Sequence, residues 1–188
     1  MIAIAEACAN GSIPAGIGLV ISNDASAPGL QSARQRGLKT MAIDHRQSGP
    51  REEHDRMVAE ALDSAGVDLV CLAGYMRLLS PAFIRRFPGR IMNVHPALLP
   101  SFPGLHAQRQ AIEHGARLSG VTVHFVDEGL DSGPIILQAA VPVDQDDTEE
   151  TLAARILEQE HALYPEAIRL FFEDKLRIEG RRVLIAAS

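Results

Sequence analysis

At 188 residues, with 46% apolar and 22% charged side chains, the chain has the size and composition of one globular domain with a substantial core. Its formal net charge of −6 argues against a general binder of nucleic acid or acidic membranes, and leaves room for a local basic pocket. No stretch approaches the apolar length of a bilayer span, and no basic segment leads into a long apolar run at the N-terminus, so a cytoplasmic location is expected. Cys8 and Cys71 both lie in apolar contexts and read as free, buried thiols of a reducing compartment.

Taken in chain order, the pattern alternates strand and helix. Met1 to Asn10 reads as a helix closed by Gly11. The β-branched run Ile17 to Ile21 predicts a strand, Ala27 to Arg36 a helix ended by Gly37, and Leu38 to Ile43 the next strand. Ser48 and Pro50 mark a helix start, with Glu52 and Glu53 in its first turn and Gly66 past its end. Asp68 to Ala73 is nearly all apolar, as expected of a parallel strand covered on both faces. Ser80-Pro81 supplies a cap and a first-turn proline for a short helix that stops at Pro88-Gly89. A strand over Arg90 to His95, an irregular loop over Ala97 to Gly104 and a helix from His106 to His114 follow. Val121–Val126 and Ile135–Ala139 read as antiparallel neighbours, because only a short glycine-containing connection separates them. A long helix capped by Asp147 or Thr148 runs to about Phe172, with Pro165 as a kink or restart. Lys175 to Ile185 suggests a hairpin about Glu179-Gly180.

These elements predict an α/β fold over residues 1–188: a single Rossmann-like domain with a mostly parallel sheet, helices on both faces and an antiparallel C-terminal part. One feature does not suit it. A doubly wound fold opens with a strand and a glycine-rich turn, whereas this chain opens inside a helix.

The functional signal is Asn93-Val94-His95-Pro96, followed downstream by Gly129-Leu130-Asp131-Ser132-Gly133-Pro134. Asn93 and His95 are two apart on a strand, so their side chains share a face. Pro96 ends the ladder and places the pair at the carboxyl end of the strand, where open α/β sheets bind ligands. Singly, each group has an ordinary structural explanation: a satisfied histidine, an asparagine bonded to its own backbone, an aspartate in a turn. Jointly, an amide, an imidazole and a carboxylate make an acyl-transfer site. The remaining histidines show no H-E-x-x-H or cysteine-pair spacing, so no metal site is expected. His106 and His114 stand roughly 12 Å apart by helical rise, too far to share an ion.

The chain resembles the glycinamide ribonucleotide formyltransferases of purine synthesis from Met1 to about Phe172. The resemblance rests on Leu72 to Pro81, Asn93 to Pro100, Phe102 to Ala107, Gly129 to Pro134 and Glu160 to Pro165. Other folate formyl enzymes share the asparagine, histidine and aspartate. Formyltetrahydrofolate deformylases carry a second histidine where this chain has Pro96, and methionyl-tRNA formyltransferases have a different loop at Phe102 to His106 and a further domain. The resemblance implies formyl transfer from 10-formyltetrahydrofolate to the amine of phosphoribosylglycinamide, with Asn93, His95 and Asp131 catalytic. It also implies that Arg51, Met76, Arg77, Leu78, Leu79 and Asn93 bind the folate, that Val126 to Asp131, including Glu128, wrap its pterin ring, and that Glu160 contacts the ribonucleotide. No nucleic acid or membrane partner is implied, and the chain is expected to be a monomer or homodimer.

The chemistry suits these groups. A neutral substrate amine attacks the formyl carbon, the Asn93 amide donates to the resulting oxyanion, and a protonated His95 donates to it or to the departing folate nitrogen. An Asp131 carboxylate beside His95 favours the imidazolium and can hold a water that shuttles the amine's proton. No acyl-enzyme and no metal is required.

Members of this family open with a strand and a Gly-Ser-Asn loop that cradles the substrate phosphate. Met1 is therefore expected to be an internal methionine, the lost strand to leave unpaired backbone groups, and the chain as written to fold marginally, to bind folate better than ribonucleotide and to turn over poorly. Two other functions fit the same residues: a 10-formyltetrahydrofolate hydrolase with water as acceptor, and a truncated relative that binds folate without catalysis.

Overall fold

The computed structural model describes residues 1–186. Its elements are α1 (Ile2–Ala9), β1 (Val20–Ser22), α2 (Pro28–Gln35), β2 (Thr40–Ala42), α3 (Arg51–Ser64), β3 (Val70–Leu72), α4 (Pro81–Arg86), β4 (Ile91–His95), α5 (Ala107–Glu113), β5 (Leu118–Phe125), β6 (Ile135–Pro142), α6 (Glu149–Phe172), β7 (Leu176–Glu179) and β8 (Arg182–Ile185). The expected order of strands and helices is met throughout.

β1 and β2 pair in parallel as a two-stranded sheet, and the other strands form a six-stranded sheet in the order β3-β4-β5-β6-β8-β7. β3 runs parallel to β4, and β4, β5 and β6 are antiparallel in sequence, as expected for the C-terminal part. β8 returns parallel to β6 and closes the predicted hairpin with β7. β1 and β3 share no ladder among the described residues, and a cavity of about 640 Å³ lies between them, lined by Ile17, Leu19, Ile21, Leu69, Cys71 and Ala73 among others. This division leaves the facing edges of β1 and β3 without a ladder partner among the described residues. It also accounts for β1 and β3 being shorter than the apolar runs that predicted them, because a ladder needs a neighbour on which to extend. β5 and β6 are longer than expected for the converse reason: their mutual pairing runs from Leu118 opposite Pro142 to His124 opposite Ile135.

The core behind the site is built by alternation along β4 and β5. Met92, Val123 and Phe125 turn inward with Ile136, Tyr164 and Ile168. Each such side chain contributes roughly 1.5–3 kcal/mol relative to exposure. The Tyr164 hydroxyl lies 3.0 Å from the Leu72 carbonyl and 2.9 Å from that of Met92, tying α6 to β3 and β4. Helix α6 runs unbroken through Pro165, so of the expected kink or restart the restart is absent. The carbonyl that proline deprives of a partner, that of His161, belongs to an exposed residue open to water. Thr148, rather than Asp147, caps this helix in a box with Thr151, while Asp147 accepts from the Thr151 hydroxyl and pairs with Arg155. Cys8 and Cys71 are free and half-buried, with both thiols pushed up by burial, Cys71 to about 12. No helix among the described residues is long and apolar enough to cross a membrane.

Candidate active site

Pairing of β4 with β5 sets the site. Asn93 stands opposite His124 and His95 opposite Thr122, while Val94 opposes Val123 on the other face. The period of two thus puts Asn93 and His95 side by side, as their spacing predicts. A register shift between Val123 and His124 marks a bulge at this point, a feature that re-aims side chains beside functional sites.

Asp131 arrives from the connection between β5 and β6. Its φ of +47° is left-handed, a conformation that aspartate tolerates better than most residues. Two glycines allow the loop to fold this tightly. A Cβ at Gly133 would sit 1.8 Å from the Phe125 carbonyl oxygen, and one at Gly129 would sit 2.1 Å from the Ser132 hydroxyl. The loop's own bonds run from the Gly129 N–H and the Ser132 hydroxyl to Asp127. The outcome is direct: Asp131 Oδ2 lies 3.3 Å from His95 Nδ1, and Oδ1 lies 3.9 Å from His124 Nε2. The three predicted catalytic groups therefore meet at one sheet edge.

His95 is buried, with 4% of its surface exposed. Its Nε2 is 2.8 Å from the Phe102 carbonyl, so both ring nitrogens face acceptors. The loop from Ala97 to Gly104 is fastened on both sides of that carbonyl. The Leu99 N–H donates to the Thr122 hydroxyl, which donates to the Ala97 carbonyl. Gln138 donates to the Leu99 carbonyl, and the Gly104 N–H donates to Asp131 at 2.8 Å.

Sequence reasoning missed His124, Thr122 and Gln138. His124 is 2% exposed. Its Nδ1 is 2.9 Å from the Phe125 carbonyl and its Nε2 is 3.4 Å from the Asn93 amide nitrogen. Burial, above all, pushes this imidazole down, against the opposing pull of the Phe125 carbonyl and Asp131, so it is neutral. The signal was available: Thr122 and His124 are polar residues two apart in an apolar strand, the same pattern that flagged Asn93 and His95.

Met76, Arg77, Leu78 and Leu79 occupy the connection from β3 to α4, which leaves the carboxyl end of β3. Because β3 and β4 are parallel neighbours, this connection and the Asn93–His95 pair share one sheet edge. Met76 and Leu78 are 75% and 57% exposed, apolar side chains facing water. Arg77 Nε is buried and has no hydrogen-bond partner among the described residues. Val126 lies at the other end of β4, its N–H donating to the Ile91 carbonyl at 2.9 Å, and its side chain joins the cluster against which Leu79 also packs. Glu128 pairs with Arg85 at 3.0 Å, and Arg51 opens α3 beside Glu52 at 3.3 Å. Glu160 stands apart. It lies half-buried on α6, its carboxyl pushed up by burial and drawn back by the Met1 ammonium, and no ion pair among the described residues joins it to the catalytic groups. His106, at the start of α5, contacts Glu149 at 3.1 Å, and no group of three or more His, Cys, Asp or Glu among the described residues is placed to hold a metal ion.

Residues 1–168 match the family model described as formyl transferase. The chain is 46% identical over 176 residues to the phosphoribosylglycinamide formyltransferase of Escherichia coli, covering 94% of this chain and 83% of that one. It is 50% identical over 158 residues to the trifunctional purine biosynthetic protein adenosine-3 of Drosophila melanogaster, covering 84% of this chain and 12% of that much longer protein. Among solved structures, the glycinamide ribonucleotide transformylase 1 of Symbiobacterium toebii superposes with a TM-score of 0.97 at 55% identity, covering 98% of this chain and 87% of that one.

Proposed function

The chain belongs to the formyl transferase family, and on that premise we infer that it moves the formyl group of 10-formyltetrahydrofolate to the amine of phosphoribosylglycinamide in de novo purine biosynthesis. One observation supports the assignment of the chemistry most strongly: His95 lies 3.3 Å from Asp131 on the same strand face as Asn93.

The amine nitrogen bonds to the formyl carbon, the carbonyl electron pair moves onto oxygen, and the bond from carbon to the folate nitrogen then breaks. An α-amine with a pKa of roughly 8 supplies enough neutral nucleophile near neutrality. Asn93 offers an amide N–H to the developing oxyanion. The ion-pair contact between His95 Nδ1 and Asp131 at 3.3 Å is longer than the 2.8 Å contact at Nε2, so Nδ1 is the nitrogen more readily turned to the oxyanion or the leaving nitrogen. Asp131 takes up the proton shed by the amine, directly or through a water, and the folate nitrogen gains one, so the step balances. The loop of Met76 to Leu79, with Arg51, Val126 and Glu128, supplies the folate surface, and Glu160 the ribonucleotide contact.

The test is formyl transfer by the purified chain, followed alongside formate release with and without phosphoribosylglycinamide. Consumption of 10-formyltetrahydrofolate that depends on the ribonucleotide supports the transferase. Formate release indifferent to the ribonucleotide replaces it with the hydrolase, and folate binding without either reaction leaves a binding protein.

A further inference from the structure

Helix α3 buries two adjacent titratable side chains, His54 at 1% exposure and Asp55 at 2%. Groups of this kind are buried only where something holds them. Asp55 Oδ2 accepts the backbone N–H of Ser80 at 2.6 Å, bridging 25 positions of chain. His54 Nε2 contacts the Ile43 carbonyl, just past β2, at 3.0 Å. His54 Nδ1 faces Asp55 Oδ1 at 3.5 Å, and neither atom has a hydrogen-bond partner among the described residues. The two side chains thus link the end of β2 to the start of α4 through the interior.

What this link fixes is the connection between β3 and α4. Ala73 to Leu79 leads from β3 to Ser80, its carboxyl-terminal anchor. The anchor does not need Asp55 to start the helix, because the Ser80 hydroxyl caps α4 at Phe83 N–H and Pro81 presets the first turn. The carboxylate also bears on the middle of the connection: burial, followed by Asp55, pushes the Tyr75 phenol up. A charge-assisted bond to a backbone N–H is short and directional, and its desolvation cost is worth bearing where position matters.

We propose that Asp55, braced by His54, is a positioning residue for folate, holding Ala73 to Leu79 in the shape that presents Met76, Arg77, Leu78 and Leu79 to the cosubstrate. The inference rests on the assignment of those residues to the folate surface. It predicts a selective effect, because the ribonucleotide contact is placed elsewhere, on α6.

Binding of tetrahydrofolate and of phosphoribosylglycinamide is measured by calorimetry on the intact chain and on D55A, D55N and S80A. D55A strands the Ser80 N–H, so the tetrahydrofolate Kd rises about tenfold or more while the ribonucleotide Kd stays within about twofold. D55N keeps an amide oxygen for that N–H and holds the tetrahydrofolate Kd to within about threefold of the parent. S80A loses the α4 cap but keeps the carboxylate–amide bond, so it lowers Tm and leaves the ratio of the two affinities within about twofold. Equal weakening of both ligands in D55A overturns the proposal. Should D55A not fold, a ratio of the two affinities shifted well beyond twofold in S80A, which keeps the carboxylate–amide bond, overturns it. An intact chain that fails to bind tetrahydrofolate defeats the folate assignment itself, whereas an intact chain and a D55A that bind it equally defeat only the role of Asp55.

Discussion

Asn93 on β4 faces His124 on β5 across the ladder, with the amide nitrogen 3.4 Å from Nε2. With its Nδ1–H directed at the Phe125 carbonyl, a neutral His124 presents a lone pair at Nε2 and holds one amide hydrogen of Asn93, leaving the other for an oxyanion. N93A should lower kcat by about 10²–10³, the usual loss for one oxyanion donor. H124L removes the orienting acceptor together with the donor to the Phe125 carbonyl and leaves Asn93 in place, so kcat should fall roughly tenfold with KM little changed. Steady-state kinetics on the two variants check both, and an H124L enzyme as slow as N93A would place His124 at the reacting atoms instead.

The same histidine sets a pH dependence. Its pKa is lowered in the folded chain by burial, below the ordinary value of 6.5. Over the window below 6.5 the unfolded chain takes up a proton that the native one resists, so this group's stability contribution is complete above that pH and declines on acidification through the lowered folded value. Tm measured from pH 7.5 downward should fall less steeply in H124L than in the parent. Parallel slopes would show that His124 does not protonate on unfolding.

Asp131 has two partners, His95 at 3.3 Å and the Gly104 N–H at 2.8 Å, and they can be separated. D131N removes the charge beside the imidazole and keeps an oxygen for Gly104. It should lose about 10² or more in turnover, within the range for proton-transfer groups, while Tm changes little. D131A gives up the Gly104 contact as well and should lower Tm by several degrees beyond D131N. Kinetics and thermal melts on the pair distinguish the chemical from the structural contribution.

Much of this site could be read from residue order alone. The i, i+2 spacing of Asn93 and His95 before Pro96 fixed their common face and sheet edge, and the helix caps at Ser80 and Thr148 fall at recognisable residues. His124 was legible in principle and passed over, because a histidine inside an apolar run looks like any satisfied core histidine until its cross-strand partner is known. The contact between Asp55 and Ser80 was not legible. It joins two local features 25 positions apart, and no periodicity encodes which buried carboxylate meets which backbone N–H. Pro165 does not restart the helix for a local reason: proline costs a helix one bond, but a long helix with a packed face retains enough others.

The Asp131 loop makes a sharp steric prediction. A Cβ on Gly133 meets a main-chain oxygen at 1.8 Å, whereas one on Gly129 meets the Ser132 hydroxyl, which can rotate away. G133A must therefore move the strand or the loop, costing about 1–3 kcal/mol or more and displacing Asp131 from His95. G129A should cost clearly less. Thermal melts and turnover on both variants test the order, and equal losses would mean that the Ser132–Asp127 bond is as rigid as the backbone.

The cavity between β1 and β3 makes the last prediction, about backbone groups. On β1 the Val20 N–H donates to Lys39 and the Ser22 carbonyl accepts from Ile43, so residues 20 and 22 face β2 and the Ile21 N–H points toward the cavity. On β3 the Val70 N–H donates to Arg90, which turns the Cys71 N–H the same way. Both strands are apolar, yet among the described residues each has an edge without a ladder. Amide exchange should therefore alternate sharply along them. Val20 and Val70 should be protected with their sheets, and Ile21 and Cys71 should exchange orders of magnitude faster despite apolar surroundings. Exchange followed by NMR resolves each amide, and uniform protection along either strand would mean that the cavity edge is paired in solution.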